Sequence, residues 1–223
     1  MVYKVGSVSG VCMSFRYLTK GELCLINKDN VESSGDPYAV ENPANLEYAL
    51  EGTQNKYERL GDDAEKILWK ASYLLYQIAC QAHAFAEGNK RTALTATLVF
   101  LSYNGYYYRP FGYKEQEELV EFVKDVAAGK RTVTAIAKWL GKRIGHVTLE
   151  NYKQVVQELT KEARLIERKT DYRTKTGPAN RRKKTDEKFL LQTQLYRHKL
   201  DAVLPVVKVL KDEERQSLRG EKP

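Results

Sequence analysis

Residues 62–105 read DDAEKILWKASYLLYQIACQAHAFAEGNKRTALTATLVFLSYNG. Two helical patterns flank a short polar break. Asp62 and Asp63 are side chains that start helices well, because a short carboxylate can accept from the first free amides. After them Ile67, Ala71, Leu74, Ile78 and Ala82 recur at three- and four-residue steps, and Leu68, Leu75 and Ala79 widen the stripe. That periodicity predicts a long, mostly buried helix ending near His83. The break is Ala86-Glu-Gly-Asn89. A second helix is predicted from Lys90 to Tyr103, with Leu94, Leu98 and Leu101 on one face and Val99 and Phe100 beside it. Asn104-Gly105 is a stop signal, since both residues tolerate the left-handed turn that ends helices.

Working outward, Thr19-Lys-Gly-Glu22 is a capping-box pattern, which predicts a short helix over residues 19–27. Residues 31–45 carry Ser33, Ser34, Gly35, Asp36, Pro37, Asn42 and Pro43, which is turn chemistry for a loop or a short hairpin. A short helix is predicted over residues 44–51. Amphipathic helices are predicted over 115–128 and 133–144, the second anchored by Trp139 and Leu140. Residues 1–17 carry no clear period. Past Gly145 the pattern changes. Residues 151–167 are helical with a thin apolar face, 168–184 read as a basic linker, and 189–210 are helical with a break at Pro205. The expected architecture is all-α: a compact helical domain over residues 1–145, and a charged helical C-terminal extension over 146–223.

The chain has 223 residues, 42% of them hydrophobic and 30% charged, as for a globular protein with one well-buried domain plus an extension. No stretch approaches the roughly 20 apolar residues of a membrane span, and residues 1–17 do not read as a secretory signal. Cys12, Cys24 and Cys80 are odd in number and form no C-x-x-C pair, which argues against a disulfide framework or a zinc site. A cytoplasmic location is the expectation. The net charge is +8, and residues 168–184 hold eight cations against Asp171 alone. The body of the chain is therefore close to balanced. The basic segment reads first as a solvated linker; nucleic-acid contact through it is the lesser reading, since Tyr172 is its only aromatic residue.

The chemistry is concentrated in His83-Ala-Phe-Ala-Glu-Gly-Asn-Lys-Arg91. The first amides of the second helix have no intrahelical acceptor and lie at its positive end, which makes an anion site. Gly88 lets the backbone approach a phosphate closely. Asn89 can donate a side-chain amide, Lys90 adds a cation, and Arg91 offers a planar fork for phosphate oxygens. Glu87 supplies an oxygen that could hold Mg²⁺ against those phosphates. His83 could take a proton from an attacking hydroxyl. A base, a metal ligand and a phosphate cradle in one loop suffice for phosphoryl or nucleotidyl transfer. Phe85 reads as packing. His146 and His198 have no partners in sequence and read as surface residues. Tyr106-Tyr-Tyr108 reads as rim packing.

The run resembles the signature of the Fic/Doc (Fido) family, H-x-F-x-(D/E)-G-N-(G/K)-R, at His83, Phe85, Glu87, Gly88, Asn89, Lys90 and Arg91; Ala84 stands where Pro is usual. Arg91-Thr-Ala-Leu94, the stretch from Phe100 to Gly105, Ile136-Ala-Lys-Trp139-Leu140 and the stretch from Asn45 to Leu50 resemble the Doc, or death-on-curing, branch. The resemblance covers residues 18–143. It implies a Fido-like helical bundle with room for a small β-hairpin flap. His83 would be the general base, Glu87 the Mg²⁺ ligand, and Gly88, Asn89, Lys90 and Arg91 the phosphate loop of ATP. Phe85 would be a structural anchor, and Val40, Glu41 and Asn42 would lie in the flap that pins a protein target carrying a Ser, Thr or Tyr hydroxyl. AMP-transferring members usually have Gly at the position of Lys90 and a second Arg at that of Leu94. Those departures favour phosphate transfer, whereas Glu87 and Gly88 match the AMP-transferring pattern. None of the Glu-Gly and Glu-Asn pairs at 41, 51 and 150 has the Ser or Thr that the family's inhibitory motif requires, so a separate antitoxin would be the restraint of a toxin of this kind. The alternative from another class is a non-catalytic nucleotide- or nucleic-acid-binding protein that uses the same loop and the basic tail.

Overall fold

The computed structural model describes residues 15–161 apart from 33, 110–112, 149 and 159. The expectations for residues 1–14 and for the tail beyond 161, including the 168–184 linker and His198, lie outside the described residues. The elements are α1 (Lys20–Glu32), α2 (Pro43–Asn55), α3 (Asp63–Tyr76), a π-helical turn (Gln77–Gln81), α4 (Asn89–Tyr103), β1 (Tyr106–Tyr108), α5 (Tyr113–Ala127), α6 (Val133–Gly141) and β2 (Ile144–His146). The described residues form a helical bundle with one small antiparallel pair, as the sequence led us to expect of an all-α Fido-like fold. None of the described helices is long and apolar enough to cross a membrane.

The helix at the centre is α4. Every residue from Thr92 to Ser102 is buried, so it has no solvent face. A helix buried all round favours polar side chains that are small and can bond locally. Thr97 does so by donating its hydroxyl to the carbonyl of Ala93 at 2.7 Å. Around α4 lie α1, α3, α5, β1 and the π-helical turn, while α6 packs on α3. Leu23, Leu46, Ala71, Leu74, Phe100, Ile136 and Leu140 are among the core side chains that α1, α2, α3, α4 and α6 contribute.

The capping box forms at the start of α1. The amide of Thr19 donates to Glu22 Oε2 at 2.8 Å, and the amide of Glu22 donates to Thr19 Oγ1 at 3.2 Å. Burial pushes the Glu22 carboxyl up. Bonds from the backbone and hydroxyl of Thr19, the Tyr103 hydroxyl and the charge of Arg16 outweigh that, and its pKa ends below the ordinary value. The helix then runs to Glu32, five residues past the expected end, because Ile26 and Val31 still face the core.

Gly145, the expected domain boundary, lies inside β2. Tyr106 pairs with His146 and Tyr108 with Ile144. Tyr106-Tyr-Tyr108 is thus a strand rather than loose rim packing. His146 is not a surface residue either. Its ring meets Tyr106 edge-on at 4.9 Å, and burial lowers its pKa below the ordinary histidine value. Beyond β2, residues 152–158 are helical, and Val147, Tyr152 and Val155 form a small apolar cluster against which Tyr107 packs.

Lys70 on α3 is a fully buried cation. Its Nζ donates to the carbonyls of Thr53 at 3.1 Å, Gln54 at 2.6 Å and Lys56 at 2.8 Å, and lies 2.6 Å from Glu58 Oε1. Those carbonyls end α2, where no further amides are available, so one ammonium caps the negative end of the helix. Lys70→Met keeps most of the volume and leaves these acceptors unpaired. It is expected to destabilise the fold by about 3 kcal/mol, measured by urea unfolding; an unchanged midpoint would show that water replaces the cap.

Candidate functional site

The site begins where α3 loses its regular ladder. In the Gln77–Gln81 turn the amide of Ala82 donates back to the carbonyl of Gln77 at 2.8 Å, an i→i+5 bond. Such a bulge widens the helix by one residue, and π-turns of this kind are concentrated at functional sites. The chain then turns sharply at His83, which has φ 41°. That left-handed conformation is uncommon for a residue other than glycine, although histidine, like asparagine and aspartate, adopts it more readily than most. It takes the exposed His83 side chain out of the helix direction.

A helix that stops this way leaves carbonyls without amides. The N-terminal end of α2 and the residues before it supply the missing donors. Asn45 Nδ2 donates to the Ala82 carbonyl at 2.8 Å, and Asn42 Nδ2 donates to the His83 carbonyl at 2.7 Å. The amides of Glu41 and Asn42 both donate to the Ala84 carbonyl, at 2.9 and 3.1 Å.

Phe85 is the anchor in the middle. Its side chain is 2% exposed, and burying a ring of this size contributes roughly 2–3 kcal/mol. Val40 and Phe85 form an isolated antiparallel bridge. The bonds that define it come from their neighbours: Ala86 N–H to the Ala39 carbonyl, and Glu41 N–H to the Ala84 carbonyl. Val40 and Phe85 are therefore a non-hydrogen-bonded pair, and the N–H and C=O of each point away from the other. On the Phe85 side those groups meet Asn89. The Phe85 amide donates to Asn89 Oδ1 at 3.2 Å, and Asn89 Nδ2 donates to the Phe85 carbonyl at 2.6 Å. The carboxamide imitates a neighbouring strand. On the Val40 side the same groups form an open edge.

Gly88 caps α4 with φ 77°. A Cβ there would stand 2.7 Å from Val31 Cγ1 and 3.1 Å from Asn27 Nδ2. Glycine is needed on both counts. Asn27 of α1 is fully buried; its Nδ2 donates to the Glu87 carbonyl and to Thr92 Oγ1, both at 2.9 Å. The first intrahelical bond at this end runs from the Thr92 amide to the Gly88 carbonyl at 2.9 Å. The amides of Asn89, Lys90 and Arg91 thus lie outside the ladder, at the positive end of a fifteen-residue helix. Lys90 and Glu87 are exposed beside them. Arg91 is half-buried: Nη2 donates to Asp36 Oδ2 at 2.7 Å, and Nη1 donates to the Asn30 carbonyl at 2.7 Å and to the Ser34 hydroxyl.

Chemically, the loop presents an exposed imidazole, a carboxylate, a row of free amides and two cations. Glu87 is the one acidic side chain between His83 and Arg91. No group of three or more His, Cys, Asp and Glu gathers among the described residues. The exposed carboxylate of Glu87 is the group in the loop that could hold a cation such as Mg²⁺ against substrate phosphates.

All the residues singled out between His83 and Arg91 fall on this one loop, with Val40, Glu41 and Asn42 bonded to it. The flap segment is a single extended stretch, and the only paired strands among the described residues are β1 and β2. Asn89 spends its carboxamide on Phe85, and Asn42 spends its own on His83. The sequence reading gave Asn27, Asp36 and Asn45 no part in the site: Asp36 reads there as turn chemistry and Asn45 as the start of a Doc-like stretch. Asn27 and Asn30 stand as polar residues at a three-residue step on the face of α1 that also carries Leu23 and Ile26. Gly88→Ala is expected to destabilise the protein by about 2 kcal/mol or more, from the left-handed φ and the clash with Val31, read by thermal or urea unfolding; wild-type stability would mean that the α1 contact is not tight.

Residues 13–101 match the model of the Fic/DOC family. The chain is also similar to Protein kinase doc of Escherichia phage P1, 28% identical over 132 residues, which span 58% of this chain and 97% of that protein. The matched residues 13–101 include the His83–Arg91 loop, seated between α3 and α4 and braced by α1 and α2, so the part of the chain that carries the site is the part similar to the Fic/DOC family.

Proposed function

We propose that this protein transfers a phosphate-containing group from ATP to a Ser, Thr or Tyr hydroxyl on a protein target, with phosphoryl transfer preferred over AMP transfer. The observation that carries the reading is the bonding of the loop: one rigid turn holds His83, Glu87 and the α4 amides together, and the open edge of Val40 lies across the same turn.

The nucleotide's phosphates lie against the free amides of Asn89, Lys90 and Arg91, where the helix end favours negative charge. Lys90 adds a point charge at the mouth. Glu87 is the residue that would hold Mg²⁺; when bound, the ion neutralises charge on the phosphates. A target segment pairs in extended form with the outward N–H and C=O of Val40, which sets its hydroxyl in register with the loop. His83 takes the hydroxyl proton as the oxygen attacks phosphorus. In phosphoryl transfer the new bond forms to the γ-phosphorus, the bond to the β–γ bridging oxygen breaks, and ADP leaves. Leu94 supports this preference. It is 4% exposed within the core, so the second turn of α4 brings no further cation to the phosphates.

The similarity to the phage P1 kinase supports a role as the toxin of a toxin–antitoxin pair, with a separate antitoxin as its restraint. A location in the cytoplasm belongs to the same reading.

ATP labelled separately at the α- and γ-phosphate, incubated with Mg²⁺ and cell lysate, tests the reaction. Label passing to protein from the γ position with wild type and not with His83→Ala is the expected result. Label from the α position would establish AMP transfer instead, and no His83-dependent label from either would overturn the reading. Val40→Pro removes the outward N–H. It is expected to lower transfer to the target at least about tenfold while leaving MgATP binding intact; undiminished transfer would show that the target docks elsewhere.

A further inference from the structure

The residues that hold Arg91 all come from one turn. After α1 the chain makes a tight turn in which the amides of Ser34 and Asp36 donate to the Val31 carbonyl at 3.0 and 2.9 Å, and the amide of Gly35 donates to the Glu32 carbonyl at 3.1 Å. Gly35 takes φ 76°, which closes it. Ser34 Oγ donates to the Asn30 carbonyl at 3.0 Å. The turn is thus bonded to itself before it touches anything else. Its inner rim then offers the Arg91 guanidinium three acceptors: the Asn30 carbonyl, the Ser34 hydroxyl and the Asp36 carboxylate. Val31, the acceptor at the centre of the turn, is the residue that leaves no room for a Cβ at Gly88. One turn therefore grips both ends of the Gly88–Arg91 stretch.

Asp36 is also where the flap starts. The chain passes through Pro37, and Ala39 and Glu41 then bond to Ala86 and Ala84. Residues 36–42 form a strap across the motif loop, fastened at Arg91 by one end and at the Ala84 carbonyl by the other. The guanidinium has five N–H donors. Two on Nη1 and one on Nη2 are taken by the turn, which leaves one on Nη2 and one on Nε for a ligand. The Arg91–Asp36 contact is partly shielded, with side-chain exposures of 24% and 39%. A hydrogen-bonded charge pair in that setting orients the guanidinium plane as well as attracting it.

We infer that Asp36 is a positioning residue: its carboxylate holds the Arg91 guanidinium toward the phosphate site and, through the strap, ties the flap to the nucleotide-binding loop. The inference rests on the proposed nucleotide transfer. Asp36 touches neither nucleotide nor target; it acts through Arg91. Asp36 stays on Arg91 when phosphate arrives, so removing its charge weakens nucleotide binding instead of relieving a competitor.

The test is MgATP binding by calorimetry on the full chain, for wild type, Asp36→Asn, Arg91→Lys and the double variant, beside γ-label transfer for each. Asp36→Asn keeps size and a carbonyl acceptor, so the fold is retained; thermal unfolding checks it. The expected result is about a tenfold loss of MgATP affinity in Asp36→Asn, as for other residues that orient a ligand-binding group from behind. The double variant should bind no more weakly than Arg91→Lys alone, because the effect of Asp36 runs through Arg91. Unchanged or tighter binding in Asp36→Asn would overturn the inference, and so would fully additive losses in the double variant. If wild type itself neither binds MgATP nor transfers label, the proposed function fails and this inference with it. Binding and transfer in wild type with no change in Asp36→Asn would sink the inference alone.

Discussion

The stretch from Ala82 to Thr92 must leave one buried helix and enter another without stranding its backbone polar groups in the core. An unpaired amide or carbonyl there would destabilise the fold by about 1–3 kcal/mol, so the loop exists only if other segments provide partners. Side-chain amides do most of this. Asn45 and Asn42 take the carbonyls of Ala82 and His83, Asn89 takes both groups of Phe85, and Asn27 takes the carbonyl of Glu87. Each carboxamide stands in for a peptide group that a regular element would have offered. The loop is therefore shaped before any ligand arrives, which suits a site that works by positioning and charge rather than by covalent chemistry.

This bracing divides the motif into two kinds of residue. Phe85, Gly88, Asn89 and the inner half of Arg91 face the protein and hold the loop in shape. His83, Glu87 and Lys90 face solvent with the free amides of α4. The division follows the bonding: the groups that face the protein are the ones whose polar atoms are consumed internally. The left-handed His83 and the π-turn before it are local strains that the surrounding bonds hold in place. They leave the imidazole exposed on the loop, as the Glu87 carboxylate is.

The two helices around the motif were legible in the sequence because a buried helix writes its period plainly. The motif was legible because its chemistry is contiguous. What surrounds it was not. The π-turn has no period of its own, since it changes one hydrogen bond in a pattern that otherwise stays helical. Lys70 carries no sequence mark that it is a cap, and only the folding of the end of α2 against it makes it one. The pairing of Tyr106–Tyr108 with Ile144–His146 joins two three-residue strands far apart in sequence, and neither is long enough to show alternation. Asn27 and Asp36 belong to the site only through contacts with residues about sixty positions away, a distance over which single-sequence patterns carry no signal.

The central claim is that the loop between α3 and α4 is preformed, with Arg91 anchored from behind and the α4 amides free in front. A crystal structure with Mg²⁺ and a non-hydrolysable ATP analogue tests it most directly. The expected result is phosphate oxygens within hydrogen-bond distance of the amides of Asn89, Lys90 and Arg91, Asp36 still paired with Arg91, and loop backbone displaced by less than about 1 Å. A nucleotide bound elsewhere, or a loop that leaves Asn27, Asn42 and Asp36 to receive it, would contradict the account.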